Sequence, residues 1–243
     1  MAGSPDTVRL ASRLAKSRNR RKRALGLYIA SQLHEYQGGV QTGSRPYALE
    51  TTQELLLAGL DDSCSEVIAA AVSGLGHRPH PLAVPGLVKF SAHPAESIRF
   101  SVAVALGSYA SPEAIDALLR LAKDVSGDVR NWATFGLGSM HDVDNARVRD
   151  LLWSNLTDSH DDVRGEALVG LAVRKDTRII PVLLERLGAG SRVFELTAAE
   201  YMASPLLLAR LNAIKDEASS ADELNPYWYR CLLDAIDACS STS

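Results

Sequence analysis

Apolar and small residues recur along the chain in one pattern, which is most complete at residues 128–138. There an apolar anchor is followed four positions on by a small residue, and seven and eight positions on by a small residue and a leucine. These positions share one face of a helix with 3.6 residues per turn. The pattern starts from five anchors: Val67, Ile98, Val129, Val163 and, in a looser copy, Val193. The anchors are 31, 31, 34 and 30 residues apart, and a period of this length predicts a solenoid of helical repeats.

Each anchor-bearing first helix is followed by a turn and a second amphipathic helix. Ser111-Pro112 and Ser204-Pro205 mark two starts, because a capping side chain precedes a proline at the first helical position. The glycines that close the pattern, Gly76, Gly107 and Gly138, are expected to take the left-handed conformation that ends a helix. The second helices are predicted at 81–91, 112–124, 145–156, 178–188 and 205–215.

The two ends of the chain depart from the regular repeat. A helix is predicted over 20–36 with Gly38-Gly39 as its stop, and a second helix over 47–60 with Pro46 at its start. Terminal units of a solenoid are expected to be irregular, because one of their faces meets water. The predicted division is a basic N-terminal segment at 1–19, an atypical helical pair at 20–60, repeats at 61–215, and a linker with a C-terminal capping helix at 216–243.

Two copies of the pattern are nearly complete: Asp128-Val129-Arg130 with Ala133 and Gly136-Leu137-Gly138, and Asp162-Val163-Arg164 with Ala167 and Gly170-Leu171. These residues resemble the HEAT-repeat family, specifically the short bacterial-type repeats of phycobilin-lyase-like proteins. The resemblance covers 61–213 well and 20–60 loosely. It implies an all-α fold, a HEAT-like α-α superhelix or solenoid of about six antiparallel helix pairs. It also implies that the second helices line a concave face on which a partner is held.

Charge is unevenly distributed along the 243 residues. Residues 1–25 hold eight cationic side chains against one carboxylate, a net +7, which leaves −10 for the rest of a chain whose total is −3. The acidic body favours a protein partner with a basic patch. The cationic run at 18–23 favours an alternative, nucleic-acid binding through phosphate contacts.

Catalytic chemistry has little support in the sequence. Three cysteines lack metal-site spacing, and no phosphate loop or H-E-x-x-H motif occurs. Deoxyhypusine hydroxylase-like HEAT proteins carry His-Glu pairs that bind iron, whereas this chain has Phe100-Ser101, Asn131-Trp132 and Gly165-Glu166 at the equivalent positions. We therefore predict a non-enzyme with no catalytic, cofactor or metal site. A lyase-like or metal-dependent HEAT enzyme is the remaining alternative.

The predicted function is a non-catalytic protein-binding scaffold or adaptor, of which an inhibitory, immunity-type protein is one version. We expect a bacterial monomer. We expect it in the cytoplasm, because no apolar run is long enough to cross a membrane and no secretory signal is present. Trp132 is either an exposed anchor or a gap filler between repeats, and Arg99, Arg130 and Arg164 either form a basic ridge or pair between repeats. Further partner contacts are predicted on the second helices: Arg120, Lys123, Arg147, Arg149, Arg178 and Glu185.

Overall fold

The computed structural model describes residues 1–35, 45–188, 190–218 and 225–241. Within these residues the chain is helical apart from one two-stranded hairpin. It divides into two compact units, an N-terminal unit, Met1–Gly136, and a C-terminal unit, Leu137–Ser243. The predicted all-α, HEAT-like solenoid is confirmed, since each unit is a stack of helical pairs.

The N-terminal unit stacks its helices in two rows. First helices α2, α4, α6 and α8 pack in that order, second helices α3, α5 and α7 lie beside them, and α1 packs against α2. A 3-10 turn, Pro81–Ala83, leads into α5. The elements of this unit are α1 Pro5–Ala15, α2 Arg20–Ser31, β1 His34–Glu35, β2 Arg45–Pro46, α3 Leu49–Gly59, α4 Ser65–His77, α5 Val84–Phe90, α6 Glu96–Leu106, α7 Pro112–Leu121 and α8 Gly127–Phe135.

The C-terminal unit repeats the same arrangement. First helices α10, α12 and α14 pack in order, with second helices α9, α11 and α13 beside them. A π-helical turn, Gly136–Met140, follows α8, and 3-10 turns at Thr177–Ile179 and Pro205–Leu207 lead into α11 and α13. The helices are α9 Ala146–Asn155, α10 Asp161–Val173, α11 Ile180–Arg186, α12 Val193–Met202, α13 Leu208–Ala218 and α14 Pro226–Ser240.

The first helical pair differs from its predicted bounds. The helix predicted over 20–36 ends at Ser31, because His34–Glu35 pairs antiparallel with Arg45–Pro46 and also bonds to residues 1–3. Pro46 therefore lies in a strand, and α3 starts at Leu49 after a left-handed Ala48. Gly38 and Gly39, the predicted helix stop, lie outside the described residues. The sequence missed this hairpin because each of its strands has only two residues.

The closing glycines do not have the predicted left-handed backbone. Gly107 is right-handed, with φ −55°, and Gly76 and Gly138 also lie outside the left-handed region. Gly76 and Gly138 are needed for close approach instead. A Cβ at Gly76 would lie 3.0 Å from the Ala105 Cα, and a Cβ at Gly138 would lie 3.2 Å from the Gly170 Cα. Close approach to the backbone of the neighbouring repeat is therefore the reason for glycine at positions 76 and 138.

Hydrogen bonds from buried polar side chains connect the end of one first helix to the end of the preceding first helix. In the N-terminal unit the Arg78 guanidinium, 1% exposed, donates to the Leu33 carbonyl and to the Thr52 hydroxyl. The Tyr109 hydroxyl donates to the Leu75 carbonyl at 2.9 Å. The Leu75 carbonyl lies in the last turn of α4, where carbonyls lack partners within the helix, so the bond from Tyr109 satisfies an acceptor that stacking would otherwise bury unpaired. The Leu33 carbonyl also accepts from the Tyr47 backbone N–H, and Arg78 is its second donor.

Arg174, in the C-terminal unit, donates to more carbonyls than Arg78 or Tyr109. Its guanidinium donates to five backbone carbonyls, none farther than 3.1 Å, and burial lowers the pKa of the guanidinium. Three of the acceptors belong to the π-helical turn and the residue that follows it, where the carbonyls lack their usual α-helical donors. The acceptors are the carbonyls of Leu137, Gly138, His141, Val143 and Gly170.

We expect Arg174→Met to destabilise the C-terminal unit by about 3 kcal/mol or more, because each buried carbonyl left unpaired costs about 1–3 kcal/mol. Hydrogen exchange should show faster exchange at amides 137–143, and urea unfolding should show a lower midpoint. Arg230→Met is the matched control, since Arg230 is exposed on α14. Equal midpoints for the two variants would contradict the role given to Arg174.

Candidate protein-binding surface

Two of the predicted ridge arginines hold the turns of the N-terminal unit together. Arg99 pairs bidentately with Asp124 at 2.7 and 2.9 Å, and this pairing lowers the pKa of the Asp124 carboxyl. Its Nη1 also donates to two carbonyls of the turn before α6. Arg130 donates in the same way to the carbonyls of Asp124 and Val125. The pairing between repeats that the sequence allowed is thus observed for Arg99.

Arg164 has the same local role in the C-terminal unit. It donates to the Asp158 carbonyl at 2.7 Å and pairs with Asp161 in the first turn of α10. Arg192, at the start of α12, reaches back to Asp162 at 2.6 Å. These arginines stabilise helix starts, and any contact of the predicted ridge with a partner stays a prediction.

Trp132 packs between two first helices of the N-terminal unit. Its ring lies edge-on to Phe100 of α6, with centroids 6.2 Å apart, and edge-on to Phe135 of its own helix at 5.7 Å. Edge-to-face aromatic pairs at these distances stabilise packing. The side chain is half-buried, which matches the alternative that Trp132 fills a gap between repeats. A partner contact at Trp132 has no further support.

The second-helix residues predicted to contact a partner fall in both units. Arg120 at the end of α7 and Lys123 in the turn after it are exposed in the N-terminal unit. Arg147 and Arg149 lie on α9, Arg178 lies in the 3-10 turn before α11, and Glu185 lies on α11. Of these, Arg147, Arg178 and Glu185 are exposed.

The structure brings Arg149 and Arg178 together on one carboxylate. Asp176, 5% exposed, accepts from Arg178 at 2.6 and 2.9 Å and from Arg149 at 3.2 Å. Bonds from Arg178 and, more weakly, from Arg149 lower the pKa of Asp176 to about 2. Arg149 also pairs with Asp144 at 2.6 and 2.7 Å. The two guanidinium groups are therefore held in place before any partner arrives.

Sequence reasoning missed Trp153, the aromatic member of this group. The Arg178 guanidinium lies 4.9 Å from the Trp153 ring centroid, a cation–π distance, and 37% of Trp153 is exposed. A usable signal was the spacing of four residues from Arg149, which puts both side chains on one face of α9. Leu184, 41% exposed, holds the position of Trp153 in the next second helix. Trp153, Leu184, Arg149, Arg178 and Asp176 are called the α9–α11 surface below.

The described residues contain neither a metal-binding cluster nor a membrane-spanning helix. No group of three or more His, Cys, Asp or Glu side chains that could hold a metal ion occurs there. The three cysteines, Cys64, Cys231 and Cys239, are free thiols. Among the helices of the described chain, none combines the length and the apolar character that a membrane crossing requires.

Residues 54–138 match the family model for HEAT repeats. Protein YibA of Escherichia coli strain K12 is 30% identical over 193 residues, which are 77% of this chain and 66% of YibA. The chain thus spans about two thirds of the length of the curated relatives that it matches. A protein of the same name and identity occurs in Escherichia coli O157:H7.

Solved structures of similar proteins have the same repeat fold. The X-ray structure of YibA superposes with a TM-score of 0.70 at 26% identity, covering 99% of this chain and 83% of that one. The complex of CpcE and CpcF of phycocyanin lyase from Nostoc sp. PCC7120 superposes with a TM-score of 0.56 at 16% identity, covering 97% and 96%. The second likeness shows a shared repeat fold.

One first-helix carboxyl group titrates close to neutral pH. Burial, with a smaller contribution from the charge of Asp162, raises the pKa of Glu166 on α10 to about 7. Glu166 holds the position that Trp132 holds in α8, counted from the anchors Val163 and Val129. A carboxyl group at a packed position of a first helix therefore favours its protonated form.

We expect Glu166→Gln to stabilise the protein above pH 7 and to have little effect near pH 4. The folded state binds the Glu166 proton more tightly than the unfolded state, so wild-type stability falls as pH rises from about 4.5 to about 7. The difference in urea midpoint between variant and wild type should grow across this window. Glu185→Gln, on the exposed side of α11, should show no such change, and a parallel trend there would contradict the assignment.

Proposed function

Because the chain belongs to the HEAT-repeat proteins, we propose that it is a non-catalytic protein-binding module, a scaffold or adaptor whose partner lies across the second helices. In HEAT-repeat superhelices these helices line the concave side. The observation that carries the proposal is the α9–α11 surface. It presents an exposed tryptophan, a guanidinium stacked on it and an exposed leucine on successive second helices. Tryptophan and arginine are the residues most enriched at binding hot spots.

Preorganisation supports this assignment. A long arginine side chain normally loses about 0.5–1.5 kcal/mol of conformational freedom when an interface immobilises it. Here Asp176 already orients Arg178, and Asp144 and Asp176 together orient Arg149. The same side chains on an unsupported helix would have to be ordered by the partner. The α9–α11 surface therefore favours binding over a purely solvated role.

The chemistry of the partner follows from charge. Residues 26–243 carry a net −10, which attracts a protein with a basic patch. Inhibition of a basic toxin or enzyme by an immunity-type protein is one form of such binding. We place the module in the cytoplasm as a monomer, and its three free thiols are compatible with a reducing compartment.

The affinity of the chain for its partner protein should depend on Trp153. We expect affinity for a stoichiometric, nuclease-insensitive protein purified with the tagged full chain to fall about 30-fold with Trp153→Ala, the effect of a hot spot worth about 2 kcal/mol. Arg178→Ala should give a comparable loss, since it removes the stacked cation. The affinities are measured by calorimetry with the purified partner.

Tyr201→Ala provides the matched control, because Tyr201 is 47% exposed on first helix α12 of the same unit. Equal affinity of wild type and Trp153→Ala would rule out the α9–α11 surface. Binding that is lost with nuclease and falls steeply with salt would instead support the nucleic-acid alternative. A coloured or metal-loaded eluate would support an enzyme.

A further inference from the structure

The basic N-terminal segment forms a defined surface on α1 and α2. The two helices are joined by four residues and pack closely, since a Cβ at Gly26 would lie 2.5 Å from the Ala15 backbone nitrogen. Hydrogen bonds hold the connection in place, because the Arg23 Nη1 donates to the carbonyls of Ser17 and Arg18. The cationic side chains of this segment therefore project from an ordered backbone.

Most cations of this segment are not used in ion pairs. Arg9 pairs with Asp6, and Arg23 pairs bidentately with Asp62 at 2.6 and 2.9 Å. The other six cations of residues 1–25 are exposed, and none of them has a carboxylate partner within the described part of the chain. They are Arg13, Lys16, Arg18, Arg20, Arg21 and Lys22.

The placement of these cations does not favour folding. Arg20, Arg21 and Lys22 occupy the first turn of α2, where the helix dipole disfavours positive charge. The first helices α4, α6 and α8 of the same unit each have a carboxylate in that turn. Cations that repel one another and oppose the dipole are explained by an anionic ligand that neutralises them.

The net charge differs in sign between the two units. Residues 1–136 hold 15 cationic and 12 anionic side chains, a net +3, whereas residues 137–243 hold 11 and 17, a net −6. The acidity of the chain therefore belongs to the C-terminal unit. The unit that bears the six cations attracts a polyanion.

A cleft beside the connection adds hydroxyl groups to the cations. Its volume is about 690 Å³, and its lining includes Arg18 and Arg20 together with Ser63 and Ser65 at the start of α4. Glu66 is the single carboxylate among the described residues that line it. Serine hydroxyls and arginines are common donors to phosphate oxygens in nucleic-acid complexes.

An exposed aromatic ring lies on the same helix as three of the cations. Arg21, Leu25 and Tyr28 are four and three residues apart, so they share one face of α2. Tyr28 is 58% exposed. Bases of a single strand stack on such rings while cations follow the phosphates, whereas the bases of a duplex are already stacked on one another. The six cations and Tyr28 are called the α1–α2 basic surface below.

We propose that the α1–α2 basic surface binds single-stranded nucleic acid without base specificity. The cations contact the phosphates, and Tyr28 stacks on a base. Four of the six cations are arginines, whose planar guanidinium matches the geometry of phosphate oxygens. An acidic protein would satisfy the cations but would offer no base to Tyr28. This site goes beyond the function proposed for the α9–α11 surface, and it gives the chain a second class of ligand.

The probe is a fluorescently labelled single-stranded oligouridylate of about twelve nucleotides, a length within the usual site sizes. Binding to the full chain is measured by fluorescence anisotropy over a range of salt concentrations. With four to six phosphate contacts, the slope of log affinity against log salt should be about −3 to −4, at about 0.7 per contact.

Two variants separate the charge contacts from the stacking contact. Arg20→Gln combined with Arg21→Gln should weaken binding at least about tenfold and make the slope shallower by about 1.4. The same variant should not lower the urea midpoint, because these cations oppose the dipole of α2. Tyr28→Ala should weaken binding about tenfold and leave the slope unchanged, since it removes no charge.

Arg120→Gln combined with Lys123→Gln is the matched control, because it removes the same charge from exposed positions at the end of α7 and just after it. It should leave affinity and slope unchanged, and so should Trp153→Ala, which separates this site from the α9–α11 surface. Four results would overturn the proposal: no binding at physiological salt, equal losses for control and basic variant, equally tight binding of a duplex, or tighter binding to phosphatidylserine vesicles. The last would make a membrane surface the ligand.

Discussion

Stacked helices must satisfy the carbonyls at their C-termini, and this constraint shapes both units. Where one first helix packs on the next, water is excluded from the last turn, and the carbonyls there need donors from the neighbouring repeat. Tyr109 and Arg174 supply those donors, and Arg78 adds a second donor to the Leu33 carbonyl. Because Arg174 reaches five carbonyls, it compensates for a π-helical turn that would otherwise bury unpaired acceptors. These connections fix the stacking on which every surface position depends.

The arginines of the chain fall into two groups, according to how their guanidinium donors are used and how far they are exposed. Those after the repeat anchors, such as Arg99, donate to their own turn and to a neighbouring aspartate, so most of their donors are used in folding. Arg178 differs because half of its own side chain is exposed, whereas the Arg99 side chain is 13% exposed; their partner carboxylates are only 5% and 9% exposed. An oriented but accessible guanidinium, stacked on an accessible indole, is available for recognition. Exposure of the guanidinium, and not burial of its counter-charge, therefore separates Arg178 from Arg99.

The sequence by itself determined the repeat period, the helical class and nearly all helix positions, because the apolar spacing of a helix is local and recurs in every repeat. It also predicted Arg149 and Arg178 as surface residues of second helices. Only the tertiary structure showed that Asp176 joins them and that Trp153 stacks on Arg178, since these contacts cross from one repeat to the next. It likewise showed that Gly76 and Gly138 serve close helix packing, because the approach of two backbones depends on the neighbouring repeat and not on local spacing.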